Sequence, residues 1–223
     1  MLKKLFTLAI IACTALIANA QKFEGKIDAS ITVLKAPAEM AGMEAMMGQQ
    51  ITSSFKGHRS HTLMKNMMGT TAIITDSIKK EMIILTDMMG QKTAMVQPME
   101  TNASPTENMG LELNGAKIKK VNERKLIAGY DCKKAIVDIA DESGVVTSVE
   151  LWYCEQIAPV EMKGEIRGTP MEFTMIVEGI TMKYEVTAVT KEVVAESLFA
   201  IPAGYTLQTM DQMYQNFQNI EQD

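Results

Sequence analysis

Two runs rich in β-branched and aromatic residues, 130–140 and 145–156, flank Asp141-Glu142-Ser143-Gly144, and this segment constrains the chain more than any other. The intervening residues form a turn signal, with Gly144 free to adopt a left-handed conformation. A three-residue loop of Glu142, Ser143 and Gly144 sets Cys132 directly opposite Cys154. The same register sorts the faces, because successive strand residues point to opposite sides. Lys133, Ala135, Val137 and Ile139 then face Tyr153, Leu151, Val149 and Thr147 on an apolar side. Lys134, Ile136 and Asp138 face Trp152, Glu150 and Ser148 on a mostly polar side that also carries the cysteines. Lys134 is expected to lie over the Trp152 ring.

Most of the remaining chain shows the same period of two. Strands are predicted over 23–34, 51–56, 60–68, 70–75, 81–86, 92–97, 116–123, 164–168, 171–177 and 183–189. A loop rich in Pro, Asn and Gly spans 98–115. Short strands without long intervening helices predict a β-dominated (α+β) antiparallel fold. Two segments break the pattern. Met40, Met43 and Met47 recur at helical spacing within 36–47, and Leu207, Met210, Met213 or Tyr214, Phe217 and Ile220 do so within 207–222. Each predicts a short amphipathic helix that must dock on the sheet.

The chain begins with Lys3 and Lys4 before an apolar run, 5–18, that closes on Ala18-Asn19-Ala20. This is the pattern of a secretory leader cleaved after Ala20, and the run is too short to span a bilayer. Ile10-Ile11-Ala12-Cys13 resembles a lipid-attachment sequence, but apolar character continues past Cys13, which argues against anchoring there. The reading is therefore residues 1–20 as leader and 21–223 as a single domain, periplasmic or secreted. The mature chain is expected to be soluble or held at a membrane surface. With Cys13 removed, Cys132 and Cys154 remain as an even pair in an exported chain, which reads as a structural disulfide on the exposed side of the hairpin. A redox dithiol more often sits as C-x-x-C at a helix start.

The formal charge of −5 excludes a nucleic-acid partner, which needs a basic footprint. No G-x-S-x-G, P-loop, H-E-x-x-H, G-x-G-x-x-G or C-x-x-C is present, and there are only 2 His, so the expectation is a non-enzymatic protein without cofactor. Methionine is the compositional oddity, at 20 residues against 6 Phe and 5 Tyr. His58, His61, Met64 and Met67 recur every three residues, and thioether and imidazole ligands suit Cu(I) or Ag(I). On a strand that spacing divides the set, with His61 and Met67 on one face and His58 and Met64 on the other. The alternative use of methionine is as an adaptable apolar surface. Its candidate lining is Met40, Met43, Met47, Met64, Met82, Met95, Phe173 and Met175.

Three phrases resemble one family. Leu126 to Lys134 is similar to the "K-x-I-x-G-Y-x-C" segment of the exported domain-of-unknown-function family 4412, and Leu151-Trp152-Tyr153 to its following strand. Ser197 to Tyr205 resembles its closing "F-x-I-P-x-G-Y" phrase, and Lys56, Gly57 and Arg59 its Lys-Gly-x-Arg step. The resemblance implies a fold like the lipoprotein carrier LolA: a curved antiparallel sheet or incomplete barrel, with short helices covering the concave face. It supplies no catalytic residues, and Arg59 is the candidate for a carrier's functional arginine. The functional expectation is binding of a lipid or other apolar ligand in a methionine-rich concavity. The alternatives are a soft-metal binder and an envelope interaction module with a filled core. Oligomeric state is left open.

Overall fold

The computed structural model describes residues 23–40, 42, 48–67, 69–99, 116–140, 146–157, 161–162, 166–177 and 179–209. The strands are β1 (Gly25–Lys35), β2 (Gln49–Lys56), β3 (Arg59–Asn66), β4 (Gly69–Asp76), β5 (Glu81–Met88), β6 (Gln91–Pro98), β7 (Lys117–Ile127), β8 (Tyr130–Ala140), β9 (Val146–Cys154), β10 (Glu161–Met162), β11 (Ile166–Arg167), β12 (Thr169–Val177), β13 (Ile180–Thr190) and β14 (Thr206–Leu207). Twelve of them form one curved open sheet in the order β14-β6-β5-β4-β3-β2-β1-β13-β12-β9-β8-β7, while β10 and β11 pair separately. All neighbours are antiparallel except β14 on β6. Consecutive hairpins supply β2 to β6, and β13 closes on β1 through the long-range pair Ile31–Tyr184.

The hairpin of β8 and β9 has the register its loop predicts, with Lys133 opposite Tyr153, Ala135 opposite Leu151 and Ala140 opposite Val146. Continuing it by one residue sets Cys132 across from Cys154. The Gly-Tyr step before it also has a physical reason. Ala128 and Gly129 take φ of 48° and 81°, a tight turn with two left-handed residues that glycine tolerates without strain.

Register divides the sheet into two faces. The inner face holds Ala135, Leu151, Phe173, Tyr184, Ala29 and Ile51, which form the main core. Phe173 and Tyr184 stack across β12 and β13 with centroids 4.8 Å apart. The outer face has a second, smaller core of Ala72, Ile74, Leu85 and Ala94, covered by Phe199, Ile201 and Tyr205. The C-terminal segment 194–209 therefore runs as a strap over the outside of β3–β6.

The helical expectations are corrected. No α-helix occurs among the described residues. Within 36–47 the structure shows a single 3₁₀ turn, Ala38–Met40, and 41 and 43–47 lie outside the described residues. Leu207 pairs with Ala94 as β14 instead of opening a helix, since the edge of β6 offers it unpaired backbone groups. Residues 210–222 lie outside the described set, as does the leader 1–20 with Cys13.

Candidate ligand-binding face

Met64, Met82, Met95, Phe173 and Met175 all lie on the inner face. Met64 stands opposite Ile51 and Thr71, Met82 opposite Thr75 and Gln97, and Met95 opposite Ile84. Phe173 and Met175 follow on β12, opposite Tyr184 and Met182. Phe173, Met95 and Met175 are buried, whereas Met64 and Met82 are half-buried, as are Ile73 and Ile84 beside them. The inner face is thus sealed on the β9, β12 and β13 side and incompletely covered across β3–β5. Met40 falls in the 3₁₀ turn after β1, and Met43 and Met47 lie outside the described residues.

Sequence reasoning missed the hydroxyl pairs on this face. Ser53 and Thr62 are 3.1 Å apart, Ser60 and Thr75 2.7 Å, and Thr86 and Thr93 2.6 Å. Each pair satisfies one hydroxyl with the other, so these side chains join the inner face without leaving that hydroxyl unpaired. The detectable signal was Thr and Ser at cross-strand positions.

The metal set is not brought together. His58 sits in the turn before β3, its Nε2 3.4 Å from Asp76 Oδ2. Met67 follows the far end of the same strand, roughly 30 Å away at the usual strand rise. His61 is buried on the outer face between Ser54 and Ile74, while Met64 is on the inner face. Burial pushes the His61 imidazole below the ordinary histidine range, against its own backbone hydrogen bond. Asp76 is spoken for as well. Its Oδ1 accepts from the backbone amides of Lys79 and Ile78, and these hold its carboxyl below the usual range despite desolvation.

Arg59 is occupied structurally. Its guanidinium pairs with Glu196 at 2.7 Å and lies 4.5 Å from the Phe199 ring centroid. Lys56 joins the same cluster, donating to the Val194 carbonyl at 2.7 Å and pairing with Glu196 at 3.1 Å. The Lys-Gly-x-Arg step thus clamps the closing phrase onto the outer face.

The polar side of the β8–β9 hairpin differs from expectation. Lys134 does lie over Trp152, 5.6 Å from its centroid, but Lys125 approaches at the same distance and Trp152 is buried. Cys132 and Cys154 are also fully buried, so the exposed placement is corrected. Their cover is the segment after β9, where Thr169 donates to the Ile157 carbonyl at 2.9 Å and both residues are buried. Both cysteines are thiols here. Burial, then the neighbouring Cys154, pushes Cys132 up to about 11. Around Trp152 the outer face is a charge lattice of Lys125, Glu172, Lys183 and Glu185. Burial raises the Glu172 carboxyl, yet Lys125 and Lys183 together hold it below the usual range.

Clefts open on the described surface, two of which border the sheet. One, of about 570 Å³, lies where β1 runs on past its last pair with β2, Ile31–Gln49, and is bordered by Val33, Lys65 and Met67. The other, of about 400 Å³, lies at the β7 bulge beside Arg124, Lys133 and Tyr153. Neither contains a residue of the predicted apolar lining.

A curved, mostly antiparallel sheet with two unequal apolar faces defines the class of protein. The chain belongs to the family described as Domain of unknown function (DUF4412), whose model matches residues 23–168. No curated protein matches the sequence. Among solved structures it is similar to LprF from Mycobacterium bovis, at 13% identity and TM-score 0.41 over 83% of this chain and 92% of that chain. It is also similar to the LolA superfamily protein NE2245 from Nitrosomonas europaea, at 11% identity and TM-score 0.37 over 81% of this chain and 91% of that one. A third is a β-barrel-like DUF1849 protein from Brucella abortus, at 8% identity and TM-score 0.40 over 78% of this chain and 100% of that one.

Proposed function

We propose that the inner face over β3–β5 binds an apolar ligand, a lipid or lipid-like molecule, and that the protein is an exported carrier or binding module and not a catalyst. One observation carries the reading. Met64, Met82, Ile73 and Ile84 present half-buried apolar side chains inside the sheet, while the outer face of the same strands is closed by the strap. An apolar surface left partly uncovered in a folded domain costs free energy until something covers it. Unbranched methionine suits a ligand of variable shape. Export rests on the leader pattern of residues 1–20, with cleavage after Ala20 and residues 21–223 as one domain. In that oxidising setting Cys132 and Cys154 would close as a disulfide.

Native mass spectrometry of the naturally processed protein tests the reading, with a fluorescent fatty-acid analogue as probe. The expected result is a co-purifying lipid and saturable probe binding that Met82→Asp or Ile84→Asp reduces at least about tenfold. A protein that is always empty and takes up no probe overturns it.

A further inference from the structure

The inner face carries no charge where it is incompletely covered. Over β2–β6, the three cross-strand rows through Met82, Ile84 and Met64 consist only of Phe, Ile, Met, Gln, Ser and Thr. All eight ionisable residues of these strands, Lys56 and Arg59 among them, fall in the alternate rows on the outer face. Lys79 and Lys80 of the β4–β5 turn stand exposed at the rim. Segments 41–47, 100–115 and 210–223 hold Glu and Asp but no Lys, Arg or His, so none of them has a cation to offer.

Hydroxyl protons are left over on the same face. Thr71 stands opposite Met64 and Thr86, and Thr86 opposite Thr93, so three threonines are neighbours in one row. All three are half-buried. Thr86 and Thr93 share a hydrogen bond of 2.6 Å, which uses one of their two hydroxyl protons. Among the described residues, neither the second proton nor that of Thr71 has an acceptor. On an open face water serves such protons. An apolar chain laid over the face displaces that water, and a buried donor without an acceptor is costly. Bare hydrocarbon leaves the donors unmatched. An ionised carboxylate matches them but brings in a charge with no cation beside it. A carbonyl oxygen accepts hydrogen bonds and carries no charge.

We propose that the ligand of this face is an uncharged acyl ester. Its carbonyl oxygens accept from Thr71 and from the Thr86–Thr93 pair, and its acyl chain lies along Ile73, Ile84 and Met82. The inference rests on the reading of this face as a lipid site and narrows that reading to one chemical class. Fluorescence titration of the naturally processed protein tests it with three probes: a pyrene-labelled long-chain fatty acid in its ionised form, its methyl ester, and the corresponding pyrene-alkane. The ester is expected to bind at least about tenfold more tightly than either of the others, the acid keeping its carboxylate at the rim. Thr71→Val/Thr86→Val/Thr93→Val keeps side-chain shape and strand preference, and an unaltered melting temperature shows that it folds. It is expected to lower ester binding to the level of the alkane and to leave alkane binding unchanged. Thr71→Val alone breaks no hydrogen bond among the described residues, and should weaken ester binding about threefold. Equal binding of acid and ester, equal binding of alkane and ester, or an ester preference that survives the triple variant overturns the proposal. Binding of the probes without preference leaves the lipid reading standing, whereas binding of none removes both.

Discussion

Cys132 and Cys154 show how far single residues can be followed. Their register depends on a loop of a few residues, so it is legible locally, and the hairpin adopts it. Their burial is not legible locally, because Ile157 and Thr169 cover them from a segment that folds back after β9. The same holds for Trp152, whose second cation, Lys125, comes from β7 across the sheet. If the pair closes, it crosslinks a loop of about 22 residues and contributes about 3 kcal/mol, chiefly by restricting the unfolded chain. Urea unfolding with and without reductant should differ by that amount, and the oxidised protein should weigh two hydrogens less. Equal midpoints and two alkylated thiols would exclude the bridge. Leu151, fully buried between Ala135 and Phe173, gives a reference value: Leu151→Ala should cost about 3 kcal/mol in the same measurement.

At the scale of elements, the strap is the least expected part. Leu207, Met210 and Phe217 have helical spacing, yet Leu207 is strand. Periodicity scores one segment in isolation, whereas the unpaired edge of β6 is a property of the assembled sheet. The closing phrase was legible as a resemblance, and its partner, the Lys-Gly-x-Arg step, as another; that they touch was visible only in three dimensions. Arg59 first, then Lys56, holds the Glu196 carboxyl below the usual glutamate range. A carboxyl lowered on folding stabilises the strap above the ordinary glutamate pKa of about 4.3, and the contribution is lost as pH falls through the lowered value. Amide-exchange protection of Gln208, which donates to Ala94 O at 2.9 Å, should therefore fall on acidification below about pH 4. Glu196→Gln should give lower protection at neutral pH and a flatter acid dependence. A wild-type-like pH profile in that variant would assign the anchoring to Phe199 and Ile201 alone.

For the whole molecule, alternation found nearly every strand but not the order in which they pair. Adjacent hairpins are local; β13 beside β1, or β9 beside β12 over the β10–β11 excursion, answers only to the fit of whole faces. The sheet keeps two edges. β14 pairs with only Thr93 and Ala94 of β6 on one side, while β7 on the other carries Lys117, Lys119, Lys120, Arg124 and Lys125. Charges on an edge strand block pairing with a second copy. Lys117→Val/Lys119→Val should show concentration-dependent association by size-exclusion chromatography with light scattering, and a variant that stays monomeric would assign that protection to the β7 bulge.

The strap also fixes an order of events. A chain emerging from the ribosome N-terminus first exposes Ala72, Ile74, Leu85 and Ala94 as soon as β4–β6 form, but Phe199, Ile201 and Tyr205 emerge only after β13. The outer core stays open while the strands from β7 to β13 are made, a sticky interval that a holding chaperone would have to cover. Stalling the chain before residue 199 should leave it trapped in that state.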